Sequence, residues 1–583
     1  LYMENKNTGS WKNNLCFMAD DGNNADSFTT DHMSYANQLA TYIESEHPEF
    51  LVNKLYYDAY KKDMAAGTYP DVRSGLQKLL KDGLLLFNYT GHGGTTGLSD
   101  EKVLTQTDIN QFTYTHLPVW ITATCDFTRF DDLNTSAGED VFLSKNSGGI
   151  ALFTTVRVAY SRPNFPINNS VIRNLFERNN GRRRTLGEAM QATKNALSSV
   201  YKLGFCLIGD PAVKMAYPEY GMKVTTVNGH SADGSPISFK ALERITVEGE
   251  VLDVSGQLAT DFTGIVNPTV KDSKTTVTCL KNSNKDDSPA FTFTDYPNTI
   301  FMGNDSVRNG KFSFTFTVPK DISYSNLQGK MNLYAVDTEN GNEAQGNFDN
   351  FIVGGTSDTA ETDTVGPEIR ALYLNDTTFV DGGQVNTTPY FVAELWDKSG
   401  VNITGSSVGH DMMLVIDEST YLSYNLNSYY ELLPGEDGTG IVKFPIPALE
   451  PGKHTAEFWV WDIQNNSTMR TFTFEVVEGL KPFLLDVIAT PGIAREQVTF
   501  HLMHNRPESR MKVGIMVYDL AGRQLWKHEE SGTSGLFENY TVSWNLTSGG
   551  ARMRPGVYIY RAAISTDNSK EATKAQKFII LGE

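Results

Sequence analysis

Up to about residue 218 the chain alternates short apolar runs with segments of helical periodicity, and beyond Pro218 the helical periodicity stops. This change of texture constrains the fold most. In the first region Leu15 to Ala19, Lys54 to Tyr57, Gly83 to Tyr89, Pro118 to Ala123 and Gly149 to Val158 read as strands. Residues 30–46 read as a helix, with Met33, Ala36, Leu39, Ala40 and Ile43 along one face, and Val72 to Lys81 as another. Strands alternating with helices predict a parallel sheet covered on both faces. In such sheets ligands bind beyond the carboxyl ends of the strands, so chemistry is expected there.

After Pro218 the pattern becomes strict alternation, as in Lys311-Phe312-Ser313-Phe314-Thr315-Phe316-Thr317-Val318, broken by Asn, Gly, Asp and Ser clusters. That is the signature of β-sandwiches. At about 150 residues per domain, 583 residues make about four domains. The expected division is an α/β domain over 1–218, a β-sandwich over 219–355, a polar linker at 356–366, an Ig-like β-sandwich over 367–478 and a last β-domain over 479–583.

The net charge of −19 argues against nucleic acid as a partner, since phosphate binding needs clustered cations. The one basic run, Arg182-Arg183-Arg184, reads as a solvated loop entering a helix. No run of 18 apolar residues occurs, so no helix is expected to span a membrane. The chain opens at Leu1 directly into polar residues, which suggests that upstream sequence is missing. The four cysteines, Cys16, Cys125, Cys206 and Cys279, lie far apart, so a zinc site made from them is not expected. Cys16, Cys206 and Cys279 sit inside apolar runs and read as buried hydrophobes.

Cys125 is set differently. The Gly83 strand ends in Asn88-Tyr89-Thr90-Gly91-His92-Gly93-Gly94, and the Pro118 strand ends in Thr122-Ala123-Thr124-Cys125-Asp126. A thiol needs a neighbouring base to become a nucleophile. Glycines around the His let a substrate backbone approach and free N–H groups for an oxyanion hole, assigned here to Gly93 and Cys125. A Gly-His-Gly alone is commonly just a turn, and a lone strand-end Cys is commonly core. The two together point to a cysteine hydrolase or transferase, with His92 preceding Cys125 as in caspase-like proteases. Gly91 to Gly94 is no P-loop, because the Lys-Ser/Thr ending is absent. Asp20-Asp21-Gly22-Asn23-Asn24 lacks the twelve-residue calcium spacing and reads as an Asx-rich turn. No cofactor is therefore required, with structural calcium left open.

Asn88-Tyr89-Thr90-Gly91-His92-Gly93 and the Cys125 strand end resemble the gingipain family of cysteine peptidases. The resemblance covers most of 11–218 and includes Cys16 to Asp21, Gly148 to Tyr160, Arg183-Arg184-Thr185-Leu186-Gly187 and Gly209-Asp210-Pro211. It implies a caspase-like α/β fold, His92 as base, Cys125 as nucleophile and Asp21 as the acid orienting the His. It also implies that Asp31 and Tyr160 belong to the specificity pocket. The stretch Asp126-Phe127-Thr128-Arg129-Phe130-Asp131 departs from the secreted members and is similar to the sortases of the type IX secretion system. That similarity puts Arg specificity in question, and the N-terminal half of the family's peptidase domain falls upstream of Leu1. Val517 to Arg523, Trp544-Asn545-Leu546, Pro555 to Tyr560 and Lys577 to Leu581 resemble a type IX C-terminal signal domain. The implied role is removal of such domains from cargo at the cell surface, beside an outer-membrane barrel partner. The rival expectations are a secreted endopeptidase that is itself cargo, and an inactive scaffold binding an outer-membrane partner through its β-domains.

Overall fold

The computed structural model describes residues 8–21, 31–112, 114–144, 147–179, 181–282, 289–358, 362–405, 409–433, 438–566 and 568–581. The chain divides into two compact units, one made of residues 1–318 and 322–360 and the other of 319–321 and 361–583. The fold is β-rich and multidomain, with an α/β sheet near its start.

That sheet has six strands in the order Phe205–Ile208, Ala151–Thr155, Val119–Ala123, Leu86–Thr90, Asn14–Ala19, Leu51–Tyr56. All pair in parallel except Phe205–Ile208, which runs antiparallel at one edge. Of the four inner strands, Leu86–Thr90, Val119–Ala123 and Ala151–Thr155 are buried along their whole length. This matches their continuous apolar sequence, since a sheet covered on both faces has no solvated side. One face is covered by the helices Asp31–Glu46, Ser161–Phe176 and Leu186–Ala196, and the other by Pro70–Asp82.

The helical face read from the sequence is the buried one: Met33, Ala36, Leu39, Ala40 and Ile43 all pack into the core. The Gly83 run becomes a strand only at Leu86, because Gly83 itself ends the preceding helix at φ 101°. The expected strand from Lys54 starts earlier, at Leu51. Two readings need correction. Arg183 is not solvated: it is buried, donates to the Phe176 carbonyl at 2.5 Å, and lays its guanidinium 4.2 Å over the Tyr217 ring. Cys206 is half-exposed, because its strand is the sheet edge. Cys16 and Cys279 are buried as expected, and burial raises both thiols, that of Cys279 to about 12.

The strands after Pro218 begin inside the same unit. A hairpin of Thr275–Thr278 and Thr292–Asp295 puts Phe293 and the nearby Cys279 into the core beside Tyr56. Polar contacts close the seam: Lys12 pairs with Glu343, Asn13 Nδ2 donates to Asn332 at 2.8 Å, and Lys330 Nζ donates to the Phe50 carbonyl at 2.8 Å. Asp58 accepts the backbone N–H groups of Lys281 and Asn282.

In the second unit, a four-stranded and a five-stranded sheet share one core over residues 374–476, including Phe391, Phe458 and Phe472. A further pair of sheets shares the core formed by Phe500, Val513, Trp544 and Phe578. Between Asp397 and Asp462 the first of these cores holds an electrostatic burden. Burial raises both carboxyls, and repulsion among Asp363, Asp397 and Asp462 adds to it. A raised folded-state pKa gives stability that is full below the unfolded value near 4 and is lost as pH rises through the folded value. Asp397→Asn keeps the oxygen that accepts from Ser399 and Gly400 and removes the charge. It is expected to raise the second unit's melting temperature at pH 7 by about 2–4 °C, for about 1 kcal/mol of relieved burden. The gain should vanish near pH 3, and calorimetric scans at the two pH values check it; no gain at pH 7 refutes the account.

Candidate active site

The Leu86–Thr90 and Val119–Ala123 strands pair in parallel with Thr90 opposite Ala123. His92 and Cys125 each lie two residues beyond that matched pair, so both sit at neighbouring carboxyl tips, strands being about 4.8 Å apart. Both residues are half-buried.

Glycine makes the His92 tip possible. A Cβ on Gly91 would lie 2.4 Å from the Tyr89 hydroxyl oxygen and 2.7 Å from Asp20 Cγ. One on Gly93 would lie 2.6 Å from Thr124 Oγ1, the neighbour of Cys125. The chain then folds back as a hairpin, Gly93–Gly94 against Gly97–Leu98, with the Ser99 N–H donating to the His92 carbonyl at 2.9 Å. Antiparallel pairs alternate between bonded and non-bonded, which leaves Gly93 opposite Leu98 at a non-bonded position with its N–H turned away from the hairpin.

The Cys125 tip is held from below and from one side. The Thr122 hydroxyl donates to Thr154 Oγ1 at 2.7 Å, and Thr154 meets Thr128 Oγ1 at 2.9 Å. Asp126 adopts φ 48°, a left-handed turn that an Asp tolerates better than most residues. The Asp126 N–H donates to the Arg157 carbonyl at 3.3 Å. Cys125 Sγ donates to the Ala159 carbonyl at 3.0 Å and accepts from the Ala159 N–H at 3.5 Å. The Cys125 N–H meets no acceptor among the described residues.

The strand tips are thus brought together, but the imidazole and the sulfur do not share a hydrogen bond. Among the described residues His92 Nε2 is buried without a partner, and the thiol rests on Ala159. Catalytic hydrogen bonds that are open in a ligand-free state commonly tighten only with substrate.

The acid beside His92 is Asp20, not the expected Asp21. The His92 backbone N–H donates to Asp20 Oδ2 at 2.6 Å, and His32 Nδ1 meets Asp20 Oδ1 at 2.5 Å. The His32 and His92 rings pack edge to face, 5.0 Å between centroids. Burial alone would raise the Asp20 carboxyl, but the His32 imidazole, then the His92 ring and N–H, together hold it below the usual carboxylate range. Asp21 points elsewhere, since successive residues of an extended chain face opposite ways. Its Oδ2 accepts from the Tyr69 hydroxyl at 2.6 Å and from Lys62 Nζ at 3.3 Å.

Asp31 opens its helix and forms an ion pair with Arg162 at 3.8 Å, so its charge is already engaged. Tyr160 is 65% exposed and meets Tyr201 edge to face at 6.1 Å. The space beside the thiol is a cleft of about 190 Å³ lined by Thr155, Arg157, Val158, Ala159, Val200, Tyr201 and Gly204. Ala159 is shared between this cleft and the Cys125 contact. Sequence reading missed Asp20, His32, Ala159 and the 200–204 wall. Asp20 alone carried a signal, as the first residue past a strand's carboxyl end. The calcium reading of the Asp20 turn falls partly on residues 22–24, outside the described residues.

The family model of Peptidase family C25 matches residues 1–216. No curated protein matches the chain. Among solved structures, dimeric latent PorU from Porphyromonas gingivalis is 26% identical over 98% of this chain, with TM-score 0.32, and this chain spans 64% of it. The Arg specific cysteine proteinase gingipain R (RGPB) is 18% identical over 59% of this chain and 67% of its own, with TM-score 0.30. The complex of Porphyromonas gingivalis RgpB pro- and mature domains is 17% identical over 59% and 69%, with TM-score 0.30. Residues 1–216, which match the model of Peptidase family C25, are the part of the chain that holds His92 and Cys125 at adjoining strand tips.

Proposed function

We propose that the chain is a cysteine peptidase of the sortase kind, which cleaves C-terminal signal domains from secreted cargo and passes the acyl group on. The observation that carries the peptidase part is the strand register: Thr90 faces Ala123, and His92 and Cys125 follow at equal distance. In the reaction, the Cys125 thiol gives its proton to His92, and the thiolate attacks a peptide carbonyl carbon. The C–N bond breaks as His92 protonates the leaving amine, and a thioester remains on Cys125. In this reading the oxyanion is received by the Gly93 N–H, turned away from its hairpin, and by the Cys125 N–H, which meets no acceptor among the described residues. Before attack the sulfur has to leave the Ala159 carbonyl, by rotation about Cα–Cβ.

Water taking the acyl group gives hydrolysis, and an amine on a surface glycolipid gives transfer. The sortase part is supported by the likeness of 126–131 to the type IX sortases and by the signal-like C-terminal stretch. Cargo bearing C-terminal signal domains is then the substrate, and an outer-membrane barrel the partner. The site of action is the extracellular face of the outer membrane. None of the described helices is long and apolar enough to cross a membrane.

Three outcomes check this reading. Iodoacetamide should label Cys125 at least 10-fold faster than Cys16 and Cys279, whose thiols burial raises, and His92→Ala should remove most of that excess. Equal rates refute an activated thiol. In cells making the Cys125→Ala chain, mass spectrometry of cargo should find intact C-terminal domains; normal maturation there rules out the sortase role. Gly93→Ala puts a methyl into Thr124 and shifts the tip, with an expected loss of about 100-fold in turnover at nearly unchanged melting temperature. An undiminished turnover contradicts the close approach of the two tips.

A further inference from the structure

Asp20, His32 and His92 offer one oxygen and two nitrogen atoms that all lie within 4.8 Å of one another. Asp20 is 1% exposed, and the His32 side chain is 12% exposed. His92 Nε2 is buried and has no hydrogen-bond partner among the described residues. A buried imidazole nitrogen without a partner is costly and calls for an occupant. The Asp20 carboxylate, charged and screened from water, supplies the negative charge that a cation needs in such a place.

We propose that these three side chains form a site for Zn²⁺, and that the ion, once bound, removes His92 from catalysis. One carboxylate with two imidazoles is a donor set suited to zinc, harder than a thiolate set and too nitrogen-rich for calcium or magnesium. Tetrahedral zinc with ligands at 2.0–2.1 Å wants donor atoms about 3.3 Å apart. The donor atoms lie within 4.8 Å of one another, with His32 Nδ1 and Asp20 Oδ1 at 2.5 Å, and small rotations of two imidazoles on short stems bring them to that spacing. The ion replaces the proton that His32 Nδ1 now shares with Asp20, so zinc binding releases a proton and weakens as pH falls. Three protein ligands leave a fourth position for water, which keeps the site reversible. A His92 ring whose lone pair is held by zinc cannot accept the Cys125 proton. The regulatory half of this inference rests on the peptidase reading; the metal site itself does not.

The test uses the full chain carrying Cys125→Ala, which removes the sulfur as a competing ligand. Calorimetric titration with ZnCl₂ should show one site, weakened about 100-fold by adding either His32→Ala or His92→Ala. Cobalt(II) in the Cys125→Ala chain should give a tetrahedral visible band, which needs no second substitution and so does not depend on the folding of a variant. With Cys125 present, zinc should slow iodoacetamide labelling of that thiol at least 10-fold, and His32→Ala should abolish the slowing. Zinc affinity unmoved by His32→Ala, or no cobalt band, overturns the site. Binding at the site with no slowing of labelling overturns the switch. If His92→Ala labels as fast as the unaltered chain with no metal present, the peptidase reading is what has failed, and calorimetry tells the two failures apart.

Discussion

Everything at the site depends on the parallel pairing of two strands that are buried from end to end. Leu86–Thr90 and Val119–Ala123 lie in the middle of the sheet with helices on both faces, so neither can slip by one residue without turning apolar side chains against polar ones. Fixing that register fixes the two tips. Buried polar pairs add to it: Asn88 and Asn168 exchange hydrogen bonds across the helical face, and the threonines 122, 128 and 154 form a hydroxyl cluster under the cysteine turn. A buried polar group left unpaired costs about 1–3 kcal/mol, so these contacts reject other arrangements of the same elements.

What the tips do is then decided by short-range packing. Asp20 reaches the His92 main chain only because Gly91 has no side chain in the way, and Gly93 settles against Thr124 for the same reason. Asp126 takes a left-handed turn just after Cys125, whose sulfur is held by the Ala159 main chain. The molecule therefore holds the His92 imidazole and the Cys125 thiol on neighbouring supports, the ring against His32 and the sulfur against Ala159. Hydrogen bonds between such groups are commonly open without substrate.

The seam between the α/β sheet and the strands that follow Pro218 has a similar logic. The change of sequence texture there marks a change of local structure and not a gap in packing. Phe293 and Cys279 enter the core of the sheet domain, and Lys12, Lys54 and Lys330 each find carboxylates or carbonyls across the seam. Burial lowers the Lys330 ammonium to about 8, which only a nearly dry environment does.

The alternation of strands and helices, the inward face of the Asp31–Glu46 helix, and the placing of His92 and Cys125 at strand ends were all legible in the amino-acid order. Periodicity and glycine placement are local properties, and a chain carries them wherever it goes. The partner of His92 was not legible. Asp20 and Asp21 are chemically alike and adjacent, and only the folded strand turns one toward the His92 main chain and His32 and the other toward Tyr69 and Lys62. The same holds for His32, for Arg183 on Tyr217, and for the wall that Val200 and Tyr201 raise beside Ala159. Those contacts join residues distant in sequence, and only the closed core sets their distances.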